Sequence, residues 1–220
     1  MVVGAGPGLG DALVRRFAAA GMSVAAVSRR GVAPQPDGNG DRIRGYAADA
    51  TLPGQVAATF ARIAAELGPP DLVVFNIGTW DRAGILDIST ELFERAWRTG
   101  CFAGFLVGQA AAAAMLPRGS GTIIFTGATG SIRGSAGFAA FAVPKFGLRA
   151  LAQSMARELG PKGVHVAHVI VDGMIENSGD GDPKKSLTPA AIAEAYDALH
   201  RQPPSAWTHE LDLRPAGETF

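Results

Sequence analysis

The residues closest to the start of the chain have the composition of a phosphate-binding turn. Gly4 directly follows a short apolar stretch, and Gly8 and Gly10 flank Leu9. Glycine lets the backbone turn tightly and come close to a pyrophosphate, and the first turn of a following helix favours its negative charge. The spacing is G-x-x-x-G-x-G, which differs from the G-x-G-x-x-G pattern. We predict dinucleotide binding here, with a purely structural turn as the alternative.

The residues after the second apolar run bear on which dinucleotide binds. Roughly twenty residues after the glycine loop, a site for unphosphorylated ribose usually offers Asp or Glu. This chain has Ser28, Arg29 and Arg30 there, without a carboxylate. Guanidinium groups are always charged and bind phosphate bidentately. The prediction is therefore NADP(H) as the preferred cofactor, with NAD(H) possible; the alternative is a pair of solvated surface arginines.

The elements that must position these residues are indicated by apolar runs that alternate with helical patterns. Strands are predicted over 1–3, 23–28, 43–47, 72–76, 122–126, 164–171 and 207–213. Helices are predicted over 8–20, 51–67 with Thr51 as N-cap, 91–115 started by Ser89 or Thr90, 138–159, and from Thr188-Pro189 onward. The first strand is short, since only three residues precede Gly4 and about five are usual; a misassigned start would explain it.

This alternation predicts the fold class α/β. Near-continuous apolar strands favour a parallel sheet covered by helices on both faces. Right-handed crossovers then give a single-domain doubly wound Rossmann fold over residues 1–220, with about seven strands and with ligands at their carboxyl ends. The polar, glycine-rich segment 172–187 and the helix after it predict a substrate loop and helix at about 172–200.

Further motifs follow the glycine loop in a fixed order. Asp49-Ala50 comes after the third predicted strand, Asn76-Ile77-Gly78 after the fourth, Lys145 on the long helix 138–159, and Asp172-Gly173 at the end of the sixth strand. Together these motifs resemble the short-chain dehydrogenase/reductase superfamily over essentially the whole chain. The resemblance implies that all of them line the cofactor site, with Asp49 at the adenine and Asp172-Gly173 in place of a Pro-Gly pair.

The same resemblance assigns the catalytic positions. In the family a Tyr exchanges the proton with the substrate oxygen, and a Lys four residues later lowers its pKa and binds the nicotinamide ribose. A Ser about thirteen residues before the Tyr hydrogen-bonds the same oxygen, and an Asn anchors a water relay. Lys145 matches, but Phe141 stands at the Tyr position, Ala128 at the Ser position and Gly100 at the Asn position. Losing a general acid and an oxyanion donor removes several decades of rate, although such losses are not additive.

Three side chains are candidate replacements for the missing proton donor. Thr129 lies twelve residues before Phe141, so a one-residue shift would bring its hydroxyl to the Ser position. Lys145 would serve as the acid if burial lowered its pKa, although binding the ribose is its expected role. Tyr196 lies where the family closes over its substrate; its alternative role is that of a half-buried helix residue. Asp172 is a candidate for facing the nicotinamide carboxamide.

The composition excludes several classes of partner. Twenty Lys and Arg balance twenty Asp and Glu, which argues against nucleic acid or an anionic membrane surface. The single Cys101 fits a reducing compartment, and the absence of a signal-peptide pattern leads us to expect a cytoplasmic protein. The run 100–116 is predicted to be a packed helix, not a membrane span. The four histidines are scattered, so no metal site is predicted.

Two functions remain open from the sequence. The first is an NADP(H)-dependent oxidoreductase that transfers hydride to or from a small apolar carbonyl or alcohol with a non-standard proton donor. The second is a non-catalytic NADP(H)-binding sensor or scaffold. Small residues along helices 91–115 and 138–159 allow close packing, and the resemblance implies a homodimer or homotetramer formed through them. The sequence does not specify the substrate.

Overall fold

The computed structural model describes residues 1–31, 42–176, 182 and 184–217. Its nine strands are β1 (Val2–Val3), β2 (Val24–Ser28), β3 (Ile43–Ala47), β4 (Leu72–Phe75), β5 (Gly121–Thr126), β6 (Val164–Val171), β7 (Met174–Ile175), β8 (Ser186–Leu187) and β9 (Glu210–Leu213). The main helices are α1 (Leu9–Ala19), α2 (Pro53–Leu67), α3 (Thr90–Trp97), α4 (Ala103–Met115), α5 (Ala139–Leu159) and α6 (Pro189–His200).

Seven strands form one parallel sheet in the order β3-β2-β1-β4-β5-β6-β9. The order reverses between β1 and β4, which is the switch point where doubly wound sheets bind ligands. The predicted α/β Rossmann fold with about seven parallel strands is thus confirmed. All eight residues of β6 are buried, as expected for a strand covered on both faces.

Two apolar cores cover the two faces of the sheet. One includes Phe60 of α2, Val107 of α4 and Leu148 of α5. The other includes Leu13 and Phe17 of α1 and Tyr196 of α6. Helices on both faces leave the carboxyl ends of the central strands as the accessible edge, so the loops after β1, β4, β5 and β6 meet there.

The predicted cap of α2 is wrong. Leu52 is the N-cap residue, without a side-chain cap hydrogen bond, and the helix begins at Pro53. The hydroxyl of Thr51 instead donates to Asp49 Oδ1 at 2.7 Å, and the Thr51 backbone N–H donates to the same oxygen at 2.9 Å. A short polar side chain binds the nearest available group, which here is the carboxylate two residues back.

The predicted continuous helix 91–115 is interrupted. After α3, which Ser89 caps as predicted, one π-helical turn covers Arg98–Phe102 before α4 begins. A Cβ added to Gly100 in this turn would lie 2.9 Å from Cβ of Pro144 on α5. Gly100 therefore permits a close approach of the two helices at a π turn, a feature that often accompanies functional sites.

The predicted loop 172–187 contains structure at its two ends. Strands β7 and β8 pair there in a small parallel sheet. Residues 177–181 and 183, in the middle of the predicted substrate loop, lie outside the described residues. The last strand is shorter than predicted, since it begins at Glu210 and not at Trp207.

One helical stretch is long and apolar enough to span a membrane. It runs over Thr90–Arg118 with a mean hydropathy of 1.5 in its most apolar window. However, Ala103, Val107, Ala111 and Met115 within it are at most 1% exposed in the protein core. Packing against the sheet thus accounts for its apolar character, as predicted for the run 100–116.

Candidate cofactor site and active site

The glycine loop forms a cradle at the switch point. Gly4 has φ +96°, and a Cβ there would lie 2.6 Å from the Asn76 carbonyl oxygen. A Cβ on Gly10 would collide with the Gly4 carbonyl oxygen, whereas one on Gly6 would meet nothing within 4 Å. Gly8 has φ +84° and precedes Leu9, the first residue of α1. The open side above Gly6 and the N-terminus of α1 suit a pyrophosphate, so the loop fits the predicted dinucleotide.

The ends of β2 and β3 bring together the residues predicted to bind the adenosine half. Arg29 and Arg30 are exposed, and neither forms an ion pair within the described part of the chain. Ser28 accepts a hydrogen bond from the Gly31 backbone N–H at 3.1 Å. Hydrogen bonds from Thr51 lower the pKa of Asp49, and the nearby Arg29 guanidinium adds to this effect. Asp49 is thus an ionised acceptor close to an arginine whose charge is available to an anion.

The loop after β4 links the cradle to the catalytic side. The Asn76 side-chain amide donates to the Gly4 carbonyl oxygen at 3.3 Å, which holds the two predicted cofactor loops together. A Cβ on Gly78 would lie 3.4 Å from Nζ of Lys145, so Ile77-Gly78 leads directly to the predicted ribose-binding lysine. The hydroxyl of Thr79 is buried without a partner within the described residues. The sequence had not pointed to Thr79.

Lys145 is buried at the end of β5. Its Nζ donates to the Thr126 carbonyl oxygen at 2.7 Å, and the residue is 6% exposed. Burial lowers the pKa of Lys145 to about 8, because desolvation disfavours the ammonium form. An ammonium has three donors, and this hydrogen bond uses one. Two donors therefore remain for the ribose hydroxyls, which fits the predicted role.

Phe141 is half-buried and packs against apolar groups on two sides. The Trp80 ring meets it edge-on with centroids 4.9 Å apart, and Phe138 lies 5.3 Å from Trp80. On another side, a Cβ on Gly130 would lie 2.6 Å from Cε1 of Phe141. The predicted Tyr position is therefore part of an aromatic wall. Trp80, which is 66% exposed, was missed by sequence reasoning, although it stands only two residues after Gly78.

The hydroxyl of Thr129, the candidate for the Ser position, is engaged in a hydrogen bond within the protein. It begins a short 3₁₀ turn (Thr129–Ser131) after Ala128, and its hydroxyl donates to Asp172 Oδ1. A hydroxyl has one proton, so Thr129 cannot also donate to a substrate carbonyl in this arrangement. Asp172 is 4% exposed and lies 3.4 Å from Nη2 of Arg214. The adjacent Gly173 has φ +147° and packs against Pro215.

Tyr196 is excluded as a proton donor. It is fully buried on α6, and its hydroxyl donates to Thr126 Oγ1 at 2.9 Å. Burial raises its pKa above the ordinary value for tyrosine. The alternative role, that of a helix residue, fits the structure, because α6 packs its apolar face onto the sheet and places Tyr196 in the core.

The histidines have structural roles. His168 is fully buried, and Nδ1 lies 3.2 Å from Oε2 of Glu210, which forms a two-point ion pair with Arg149. Burial lowers the pKa of His168 to about 4 despite this carboxylate, so the ring is neutral at pH 7. Among the described residues, no cluster of three or more His, Cys, Asp or Glu is placed to hold a metal ion.

Comparisons with known proteins agree with this geometry. A family model described as short chain dehydrogenase matches residues 1–182. A short-chain dehydrogenase structure from Rhodopseudomonas palustris is 40% identical, with a TM-score of 0.83, and the match covers 97% of this chain and 96% of that one. The 3-oxoacyl-[acyl-carrier-protein] reductase MabA of Mycobacterium avium is 31% identical over 80% of this chain and 66% of its own length. FabG of Escherichia coli K12 is 30% identical over 80% and 72%, respectively.

The chain belongs to the short-chain dehydrogenase family. Members of this family are NAD(P)-dependent oxidoreductases with a Rossmann fold, and the oxidoreductase class predicted from the sequence is confirmed. Use of a nicotinamide cofactor follows from the same membership.

Proposed function

We propose that this protein is an NADP(H)-dependent oxidoreductase that transfers hydride to or from a small apolar carbonyl or alcohol without a tyrosine. One observation carries the proposal: a buried lysine that uses one of its three donors within the described residues lies beside Gly78 in the loop after β4, while the ring four residues earlier is a phenylalanine. The residues predicted to bind the cofactor are present, whereas the residues that would transfer the proton are altered.

The cofactor roles are distributed over the loops at the carboxyl ends of the strands. Gly4, Gly8, Leu9 and Gly10 hold the pyrophosphate, and Arg29-Arg30 beside Ser28 hold the 2′-phosphate. Asp49-Ala50 contacts the adenine, Asn76-Ile77-Gly78 borders the ribose that Lys145 binds, and Asp172-Gly173 borders the carboxamide. When bound, the nicotinamide supplies or accepts the hydride. What this chain adds is orientation, charge complementarity and exclusion of water.

The substrate side is apolar. Trp80, Phe138 and Phe141 form a continuous aromatic wall, and Met174 on β7 is 67% exposed. Such groups bind apolar surface, and among them only the Trp80 indole N–H offers a hydrogen bond to a polar substrate. This favours a small apolar carbonyl or alcohol over a polyhydroxylated substrate.

The cofactor preference is tested with a double variant, Arg29→Gln with Arg30→Gln. Charge-assisted hydrogen bonds contribute about 1.5–3 kcal/mol each, so we expect the Kd for NADPH to rise at least tenfold by calorimetry. The Kd for NADH should stay within about threefold, because NADH lacks the 2′-phosphate. Arg95→Gln, at another exposed arginine, is the matched control. Equal or tighter binding of NADH by the wild type would refute the NADP(H) assignment.

A second candidate is a non-catalytic NADP(H)-binding sensor or scaffold. The contact of Trp80 with Phe141 favours it, since these rings occupy space beside the predicted Tyr position. NADPH oxidation against ketones, aldehydes and quinones separates the two functions. Tight NADPH binding with turnover supports the oxidoreductase, whereas tight binding without turnover over the whole panel supports the sensor.

We further propose a cytoplasmic homodimer or homotetramer formed through the two long helical regions. The exposed apolar side chains on these elements are Trp97, Phe105, Val143 and Phe146, each between 40% and 43% exposed. Val143 and Phe146 also line a crevice of about 450 Å³ beside α5. An apolar face of this kind is typical of an interface between subunits.

A further inference from the structure

We propose that Thr129 and Asp172 form a proton relay that replaces the tyrosine and suits the enzyme to alcohol oxidation. Thr129 is the catalytic residue of this relay, because its oxygen accepts the substrate proton. Asp172 acts through Thr129 and takes the relayed proton. The inference rests on the oxidoreductase function proposed above.

The position of Thr129 places its hydroxyl at the reacting end of the crevice. It follows Ala128 at the end of β5, and Lys145 donates to Thr126 three residues earlier. The next residue, Gly130, packs against the Phe141 ring. Thr129 thus lies on a short segment bordered by the lysine on one side and by the ring at the predicted Tyr position on the other.

The strand register brings Asp172 to Thr129. Thr126 pairs with Val169 between the parallel strands β5 and β6. Thr129 and Asp172 each follow this pair by three residues, so they lie side by side just beyond the strand ends. The Thr129 hydroxyl donates across this gap to Asp172 Oδ1. This hydrogen bond orients the hydroxyl proton toward the carboxylate, so that the lone pairs of Oγ1 remain to accept a proton from an alcohol.

Contacts with Arg214 hold the Asp172 carboxylate in place beside Thr129. Arg214 Nη2 lies 3.4 Å from its other oxygen, Oδ2, and also pairs with Asp212. Asp172 is 4% exposed, which limits competition from water for the Thr129 hydroxyl. A carboxylate paired in this way accepts the Thr129 hydrogen bond more strongly than a neutral group would.

The step balances as an alcohol oxidation. The substrate O–H bond breaks and its proton bonds to Thr129 Oγ1, while the Thr129 proton moves to Asp172 Oδ1. The substrate C–H bond breaks and its hydride is taken by the oxidised nicotinamide dinucleotide. The alcohol loses two electrons and two hydrogens to become a carbonyl compound, and Asp172 then releases one proton to solvent.

The test compares Asp172→Asn, Thr129→Val and Thr129→Ser in the oxidation of secondary alcohols by NADP⁺. Asparagine still accepts the Thr129 hydrogen bond but cannot take its proton, and serine restores the hydroxyl that valine lacks. We expect kcat to fall about 10²-fold or more in Asp172→Asn and Thr129→Val. KM and the calorimetric Kd for NADP⁺ should stay within about threefold, and Thr129→Ser should recover most of kcat.

Asp212→Asn is the matched control, since Asp212 pairs with the same arginine from β9 and is not a member of the relay. It should leave kcat unchanged. Infrared spectra during a single turnover give a second readout: a protonated-carboxyl band in the wild type and in Asp212→Asn, absent from Asp172→Asn. Wild-type turnover with undiminished kcat in Asp172→Asn would overturn the relay alone. Tight NADP⁺ binding without oxidation or reduction of any substrate would overturn the oxidoreductase function and the relay with it.

Discussion

At the scale of single residues, the ring at position 141 separates this chain from the tyrosine-dependent pattern it resembles. Lys145 remains, but it has no phenol whose pKa it could lower. Thr129, the predicted candidate for the Ser position, donates its hydroxyl proton to Asp172. The proton-handling groups near the crevice are therefore a lysine and a hydroxyl–carboxylate pair.

Phe141→Tyr should create or raise carbonyl reductase activity. The added hydroxyl lies four residues before Lys145, as in the family pattern, and a positioned general acid contributes about 10²–10⁴ in rate. We expect at least a tenfold gain in NADPH-dependent ketone reduction. Phe138→Tyr makes the same chemical change on the neighbouring ring and should give no gain. If Phe141→Tyr shows no gain in reductase activity over a broad ketone panel, the chain has lost the substrate pocket itself.

Lys145→Met should stabilise the cofactor-free protein near neutral pH. The pKa of Lys145 is about 8 in the folded protein and near 10.5 in the unfolded chain. The folded state thus carries a penalty of about 3 kcal/mol below pH 8, offset in part by the hydrogen bond to Thr126. The penalty disappears as the pH rises from 8 to 10.5.

Urea denaturation at pH 7 and pH 10 measures this difference. Lys145→Met should be the more stable protein at pH 7 and should lose most of that advantage at pH 10, while its NADPH affinity falls. Lys162→Met, at an exposed lysine, is the control and should show no such change. An advantage of equal size at both pH values would contradict the burial penalty.

At the scale of elements, the π turn and α5 are fitted to each other. Gly100 leaves room for Pro144, which stands inside α5 directly before Lys145. An interior proline removes a backbone hydrogen bond and bends its helix. Gly100 and Pro144 therefore belong to one packing arrangement. An Asn side chain at position 100 would collide with Pro144 and could not anchor a water there.

A double-mutant cycle tests this coupling. Gly100→Ala should destabilise the protein by about 1–3 kcal/mol through overpacking, and the cost should fall by about 1 kcal/mol or more when Pro144→Gly removes the opposing Cβ. Gly54→Ala, in α2 with open space around it, is the control and should be neutral or stabilising. Additive free energies of unfolding for Gly100→Ala and Pro144→Gly would show that the two positions do not interact.

At the scale of the whole molecule, the exposed aromatic side chains of the long helices support the proposed oligomer. Trp97, Phe102 and Phe105 form a stack with centroid distances of 5.7 and 6.3 Å, and Phe105 is 40% exposed. The single-domain assignment of residues 1–220 stays a prediction at this scale.

Phe105→Glu combined with Phe146→Glu should shift a dimer or tetramer toward monomer. Two carboxylates placed in an apolar interface lose hydration and repel their symmetry mates. Size-exclusion chromatography with light scattering measures the mass. Leu86→Glu, at a side chain that is 96% exposed, should leave the mass unchanged. A monomeric wild type would refute the oligomer.

The sequence by itself determined the parallel sheet, the glycine cradle and the position of Lys145. These features depend on local patterns: apolar runs, a glycine spacing and a lysine within a helix. Only the tertiary structure decided which groups the hydroxyls of Tyr196 and Thr129 contact. Tyr196 entered the core because α6 packs on the sheet, and Thr129 met Asp172 because the register of β5 and β6 sets them side by side. Residues far apart along the chain carry no local signal of such contacts, so the proton path could be inferred only from the folded protein.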